Sequence, residues 1–182
     1  RNAQDVGELT EKLERRIEAL AGAHRASLSA DALEHDRTNL RTLIEAVMRP
    51  YRNARADRID LAGELIELPR QHVTPLGLTM HELATNASKY GALSVSGGYV
   101  EVTTEQTAGG DFHLAWRERG GPEVKGAPRT AGFGSSLASL SVEGQLAGKL
   151  SRNWNPDGLE VLIELPGTAL PRRKAARDLT KA

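Results

Sequence analysis

The sequence predicts an α+β fold in which a mixed β-sheet carries helices on one face and follows an N-terminal helical arm. Residues 6–20 and 40–48 repeat their apolar side chains at three- and four-residue steps, as amphipathic helices do. Residues 99–117 and 149–165 alternate polar and apolar side chains around glycine-containing turns, as paired strands do. A chain of 182 residues is long enough to bury one such core.

The beginning of the chain is predicted to be mainly helical. A narrow apolar seam on a charged segment consists of Val6, Leu9, Leu13, Ile17 and Leu20. Such a helix needs a partner helix to cover the seam. After a loop at 25–37, a second helix starts near Leu40 and is expected to stop at Pro50, since proline interrupts helical hydrogen bonding. Short strands are predicted at 58–61 and 65–68.

The next helix is expected to open at Thr74 and Pro75, because Thr can cap free amides and Pro suits the first turn. Gly91 stands where a C-terminal cap belongs. The remaining predicted elements are strands at 99–104 and 112–117 around the AGGD turn, a loop at 120–134, a helix at 135–146, and strands at 149–154 and 159–165 around the NPDG turn. The sheet should therefore contain four or five strands.

The composition excludes several functional classes. Lys plus Arg (24) equal Asp plus Glu (24), so no global field attracts the chain to nucleic acid or to an anionic membrane. The absence of Cys removes disulfides, thiolate catalysis and zinc–thiolate sites. No apolar run approaches the roughly 18–20 residues of a bilayer span, and no secretory leader is present, so we expect a cytoplasmic location. Because the chain begins at Arg1 without Met, we expect it to be part of a longer protein.

The segment HELATNASKYGAL at 81–93 places polar side chains along one stripe of its helix. Glu82 and Asn86 are four residues apart, and Lys89 or Tyr90 follows three or four positions later. A carboxylate and a carboxamide one turn apart suit Mg²⁺, which takes oxygen ligands and is usually shared with substrate phosphates. From the spacing alone, however, an ordinary solvated polar face explains the stripe better.

Two downstream glycine clusters favour a nucleotide site. WRERGGP at 116–122 ends a strand in twin glycines, and GFGSSL at 132–137 places two glycines before a helix whose free amides can hold an anion. Glycine clusters alone usually mark turns. The order of the three parts nevertheless describes a nucleotide cradle whose magnesium ligand comes from a helix.

These segments resemble the N box and the two glycine boxes of the GHKL ATPase superfamily, whose Bergerat fold is a two-layer α/β sandwich. Within it, His81 and the Trp-x-Glu formed by Trp116 and Glu118 resemble the HWE family of bacterial histidine kinases. The resemblance includes the closing NWNPDGLEVLIELP and spans about residues 3–166. It implies an arm and linker at 1–37 like the second helix of a dimerisation hairpin, an ATP-binding catalytic domain at 38–170, and a flexible basic tail at 171–182.

The resemblance also implies a role for each site residue. Asn86 would hold Mg²⁺ through its side-chain oxygen, Glu82 would polarise a ligand or water beside it, and Lys89 would contact phosphate. Glu118 would accept a hydrogen bond from the adenine amine. Further nucleotide contacts are expected from Tyr90, Gly121, Gly132, Gly134 and Ser135. For His81, support of the catalytic site and plain packing remain equal alternatives, whereas Trp116, Trp154 and Tyr51 are expected in the core.

The implied function is that of a sensor histidine kinase, which uses ATP and Mg²⁺ to phosphorylate a His and then the receiver domain of a response regulator. A homodimer through the helical hairpin and an upstream sensory domain in cis are implied with it, and no nucleic-acid partner. No acceptor-like context surrounds His24, His35, His72 or His113. We therefore expect the acceptor helix upstream of Arg1 and no autophosphorylation by this chain alone. The alternatives are a degenerate module that binds nucleotide or a partner without phosphorylating it, and a stand-alone ATPase or protein-serine kinase.

Overall fold

Five strands form the main sheet in the residues that the computed structural model describes, which are 37–52, 58–64, 66–128 and 133–169. These strands are β2 (Ile59–Gly63), β4 (Tyr99–Gln106), β5 (Phe112–Arg119), β6 (Lys149–Asn155) and β7 (Gly158–Leu165). Their order is β2-β4-β5-β7-β6, with β2 parallel to β4 and the other neighbours antiparallel. The predicted mixed sheet is thus confirmed. A separate two-stranded ribbon pairs β1 (Arg37–Asn39) with β3 (Glu67–Pro69).

The helices pack against one face of this sheet. They are α1 (Leu40–Arg52), α2 (Arg70–Lys89) and α3 (Phe133–Ser139), the last continuing as a π-helical segment at Leu140–Gln145. Short 3₁₀ turns lie at Ala92–Ser94 and Gly167–Ala169. In the part of the chain that the structure describes, no helix is both long and apolar enough to cross a membrane.

The core lies between the helices and one face of the sheet, and strand β5 shows why. Its side chains alternate between buried and half-buried, so that Phe112, Leu114 and Trp116 point inward. Glu118 continues the same inward row and is buried as well. Trp116 is a core residue as predicted, and Trp154 and Tyr51 are partly buried against the core. The alternation of side chains along β5 therefore places the Glu118 carboxylate at the edge of the apolar core.

Each long helix extends beyond a limit that was predicted from a proline. Helix α1 continues through Pro50 to Arg52, and α2 begins at Arg70, so that Thr74 and Pro75 lie inside it. A proline inside a helix removes the hydrogen bond of its own nitrogen and crowds the carbonyl four residues earlier, so other interactions must offset this cost. Burial of neighbours such as Val73 and Leu76 accounts for the helical turn that precedes Pro75.

The short elements were predicted less well. The predicted loop was to end at residue 37, and no strand was predicted before the helix at Leu40, yet residues 37–39 form a strand. The strand predicted at 65–68 lies at 67–69 and pairs with it in the ribbon. Three-residue strands are too short to show an alternating pattern. The helix expected over 135–146 is α-helical only to Ser139 and π-helical beyond it. Residues 1–36 of the predicted arm at 1–37 and the whole predicted tail at 171–182 lie outside the described residues. The same is true of Gly132, His24 and His35.

Candidate functional site

A cavity of about 370 Å³ opens between α2, α3 and the sheet. Its volume falls within the range of about 300–1,000 Å³ that is typical of small-molecule sites. The residues that were singled out in the sequence and line it are Glu82, Asn86, Tyr90, Glu118, Gly121, Gly134 and Ser135. The fold thus brings the polar helix and both glycine clusters to one cavity, although the clusters are far apart along the chain.

Glu118 is anchored in the wall of this cavity by two hydrogen bonds. The residue is only 3% exposed. Its Oε2 accepts the backbone N–H of Ala92 at 2.8 Å, and its Oε1 accepts the indole N–H of Trp116 at 3.2 Å. Burial raises the pKa of Glu118, and the bonds from Ala92 and Trp116 act in the opposite direction. Each carboxylate oxygen has a second lone pair, so the group can still accept a hydrogen bond from a ligand.

Two glycines allow close packing around this carboxylate and its backbone donor, Ala92. A Cβ atom at position 91 would lie 1.8 Å from Oε2 of Glu118. A Cβ atom at position 121 would lie 2.8 Å from Cα of Ala92. Gly91 follows the end of α2, as predicted, but its φ of −105° is available to any residue. The glycine is therefore required for space beside Glu118 and not for a left-handed turn.

Glu82 and Asn86 form the second polar group on the cavity wall. They lie one turn apart on α2, and both are half-buried. Gly134 of α3 approaches Glu82 so closely that a Cβ atom there would lie 2.0 Å from its Oε2. Among the described residues, no group of three or more His, Asp or Glu could hold a metal with protein ligands alone. One carboxylate and one carboxamide oxygen instead suit Mg²⁺, which keeps several waters and shares substrate phosphates.

The other predicted contacts on α2 are placed differently. Lys89 is exposed at the last turn of α2 and is not among the residues that line the cavity, so its contact with phosphate stays a prediction. Tyr90 lines the cavity although it is 75% exposed, which places it at the rim.

His81 lies in the contact between α2 and α1 and not on the cavity wall. Its Nδ1 is 3.3 Å from the hydroxyl of Tyr51, and its Nε2 is 3.5 Å from Oγ1 of Thr85. The Tyr51 hydroxyl is also 2.8 Å from Oγ1 of Thr85, and the two rings meet edge to face. One helical position rotates a side chain by about 100°, which directs His81 away from the stripe of Glu82. The structure thus favours the packing alternative for His81 over a catalytic contact.

The other described histidines occupy structural positions. His72 is buried, and desolvation lowers its pKa. His113 sits across the strands from Glu105 and Glu164, with Nδ1 3.2 Å from the first carboxylate and Nε2 4.0 Å from the second. The prediction of an ordinary cross-strand residue at His113 is confirmed.

Replacing Tyr51 with Phe should lower the free energy of unfolding by about 1 kcal/mol, because the hydroxyl that contacts His81 and Thr85 is lost while the ring remains packed. Nucleotide affinity should not change. Urea denaturation and calorimetry measure the two quantities, and Tyr99→Phe on the 40% exposed Tyr99 is the matched control. Weaker nucleotide binding with unchanged stability would contradict a packing role for this contact.

Arg152 lines the cavity but was not predicted from the sequence. Its Nη1 donates to Oγ of Ser139 at 3.2 Å, and its Nη2 donates to the carbonyl of Ser135 at 3.1 Å. Desolvation lowers its pKa, while the nearby charge of Glu143 raises it. A signal was present in LSRNWN, since an arginine between Leu150 and Trp154 on the inward face of a strand is unusual. The apolar part of the wall was missed as well; it includes Leu83, Val124, Ala138, Trp154 and Leu159.

Comparison with known proteins identifies relatives for both the sequence and the fold. The HWE histidine kinase family matches residues 1–65. Blue-light-activated histidine kinase 1 of Erythrobacter litoralis (strain HTCC2594) is 41% identical over 168 residues, which cover 91% of this chain and 46% of that protein. The blue-light-activated histidine kinase of Rhizobium johnstonii is 35% identical over 168 residues, with the same two coverages of 91% and 46%. The chain thus spans less than half the length of these relatives.

A solved structure supports the fold. The histidine kinase domain of a blue-light activated histidine kinase from Erythrobacter litoralis superposes with a TM-score of 0.65 at 19% identity, covering 89% of this chain and 79% of that one. The mixed sheet with its helices is accordingly the fold of a histidine kinase domain. From the family match and the sequence relatives, the chain belongs to the HWE family of histidine kinases.

Proposed function

We propose that this chain is the ATP-binding catalytic part of a protein-histidine kinase and that its cavity binds ATP together with Mg²⁺. The observation that carries the proposal is Glu118, a buried carboxylate on the cavity wall that is fixed by two donors. Burial of a carboxylate is costly unless its oxygens are hydrogen-bonded. Each oxygen has a second lone pair besides the one used by Ala92 or Trp116, and the exocyclic amine of adenine can donate to it.

The polar helix supports the binding of the phosphates. Asn86 offers an oxygen to the metal, and Glu82 lies beside it to orient a metal-bound water or ligand. Mg²⁺, when bound, neutralises charge on the phosphates. The apolar residues Leu83, Ala138 and Leu159 exclude water from the base. The chain thus contributes binding and orientation, which are the main protein contributions to phosphoryl transfer.

In the proposed reaction, an imidazole nitrogen of an acceptor histidine forms a bond to the γ-phosphorus. The bond between that phosphorus and the β–γ bridging oxygen breaks, and ADP leaves. We propose a receiver domain of a response regulator as the next acceptor, a homodimer as the working state, and a sensory domain in the same protein. These partners are proposed because the chain belongs to the family, and each can be tested directly.

ATP should bind more tightly than GTP by about 2–4 kcal/mol, because guanine places a carbonyl where adenine has its amine and would oppose one acceptor with another. Calorimetry with each nucleotide in the presence of Mg²⁺ measures this difference. Glu118→Gln should reduce the difference in affinity between ATP and GTP, since a carboxamide can donate to the guanine carbonyl. Glu101→Gln on the opposite face of the sheet is the control. Equal affinities of the unaltered chain for ATP and GTP would remove Glu118 from the base site.

A further inference from the structure

Arg58 binds three backbone carbonyl groups in the segment between α2 and β4. Its Nη2 donates to the carbonyl of Ala92 at 2.9 Å and also to that of Val95, and its Nε donates to that of Gly98. A guanidinium has five N–H donors in a fixed planar arrangement, so one side chain can gather several acceptors. Arg58 thereby fixes the backbone of residues 92–98. The only regular element in this segment is a single 3₁₀ turn.

The same segment supplies one of the two donors that anchor Glu118. The N–H of Ala92 is bonded to Oε2 of Glu118, and the carbonyl of Ala92 is bonded to Arg58. Ala92 is 1% exposed and lines the cavity. Its backbone is also confined by two glycines, since a Cβ atom at Gly98 would lie 2.0 Å from its oxygen and one at Gly121 would lie 2.8 Å from its Cα. Both polar groups of this residue are thus held by the side chains of distant residues.

We propose that Arg58 is a positioning residue for recognition of the nucleotide base. Arg58 is not among the cavity-lining residues, so it acts through Ala92, whose N–H then orients the Glu118 carboxylate toward the base. This inference rests on the proposed function in one respect, namely that the base lies against Glu118. The connection from Arg58 through Ala92 to Glu118 is a property of the nucleotide-free protein and can be tested separately.

The test compares Arg58→Gln and Arg58→Lys with the unaltered chain. Calorimetry measures affinities for Mg-ATP and for magnesium tripolyphosphate, which has phosphates but no base. Hydrogen exchange at the Ala92 amide is measured without nucleotide. Arg58→Gln should weaken ATP binding by about tenfold, leave tripolyphosphate binding unchanged, and speed Ala92 exchange by about tenfold, since the amide loses its fixed position. Arg58→Lys should show smaller changes, because an ammonium is a point donor that cannot hold three separated carbonyls.

Arg41 provides a matched control. Its Nη1 also donates to a backbone carbonyl at 3.1 Å, but that carbonyl belongs to Leu61 in β2 and not to the segment at 92–98. Arg41→Gln should leave ATP affinity and Ala92 exchange unchanged. If Arg58→Gln does not fold, Arg58→Lys decides the result by the same measurements.

The possible results separate this inference from the proposed function. Failure of the unaltered chain to bind ATP contradicts the proposed function, and Ala92 exchange still decides whether Arg58 holds the anchor. Unchanged Ala92 exchange in both Arg58 variants overturns the inference. Equal losses of ATP and tripolyphosphate affinity also overturn it, because they would show a general structural role without any preference for the base.

Discussion

Alanine at position 91 is expected to abolish detectable ATP binding. The new Cβ atom would lie 1.8 Å from Oε2 of Glu118 and 3.0 Å from Cα of Ala87, so the carboxylate must leave its place. Movement breaks the bond from the Ala92 amide and misplaces the acceptor for adenine. The loss should be about 2–4 kcal/mol, the size expected when a charged hydrogen-bonding group no longer meets its partner.

Gly97 supplies the control for this substitution. A Cβ atom at position 97 would meet no other atom within 4 Å, although the residue belongs to the same segment as Gly91. Gly97→Ala should therefore bind ATP like the unaltered chain. Calorimetry gives the affinities, and thermal unfolding shows whether overpacking at position 91 also lowers stability, by about 1–3 kcal/mol. Full ATP affinity in Gly91→Ala would mean that Glu118 does not need its observed position.

Gly91 also shows what the sequence can and cannot predict. Its place after a periodic helix correctly predicts where α2 ends. The more important reason for glycine, a carboxylate 27 positions further along the chain, depends on the fold. The sheet itself was predictable, because β4, β5 and β7 are long enough to show alternation and are joined or preceded by turn residues. The paired three-residue strands β1 and β3 carry no such pattern.

The candidate site divides in the same way between predictable and unpredictable parts. Asn86 and Glu118 belong to recognisable motifs, so their presence in one cavity could be expected from the resemblance. Backbone groups have no sequence signature, and neither the amide of Ala92 nor its contact with Arg58, which is 34 positions away, could be predicted. The Trp-x-Glu pair is an intermediate case. Alternation along β5 puts both side chains on one face, and the structure adds the indole N–H bond to the carboxylate.

Asn86→Ala is expected to remove the magnesium-dependent part of ATP binding. The substitution deletes the only carboxamide oxygen among the described cavity-lining residues. The loss should be on the order of 100-fold, since even residues that only support a metal ligand are worth about 10–100-fold in affinity. Helix α2 itself should not weaken, because alanine has a higher helix propensity than asparagine by about 0.5 kcal/mol. If Asn86→Ala binds ATP more weakly but is at least as stable as the unaltered chain, the loss comes from metal binding and not from unfolding.

Comparison of ATP binding with Mg²⁺ and with EDTA makes this assignment specific. With EDTA, the unaltered chain and Asn86→Ala should bind ATP equally weakly, because the missing oxygen has no metal to hold. With Mg²⁺, Asn86→Asp should bind between the two, since its carboxylate keeps an oxygen near the same place. Ser88→Ala, on an exposed position of the same helix, should match the unaltered chain. If Asn86→Ala gave the isotherm of the unaltered chain in Mg²⁺, Asn86 would not be a magnesium ligand and the polar stripe of α2 would be an ordinary solvated helix face.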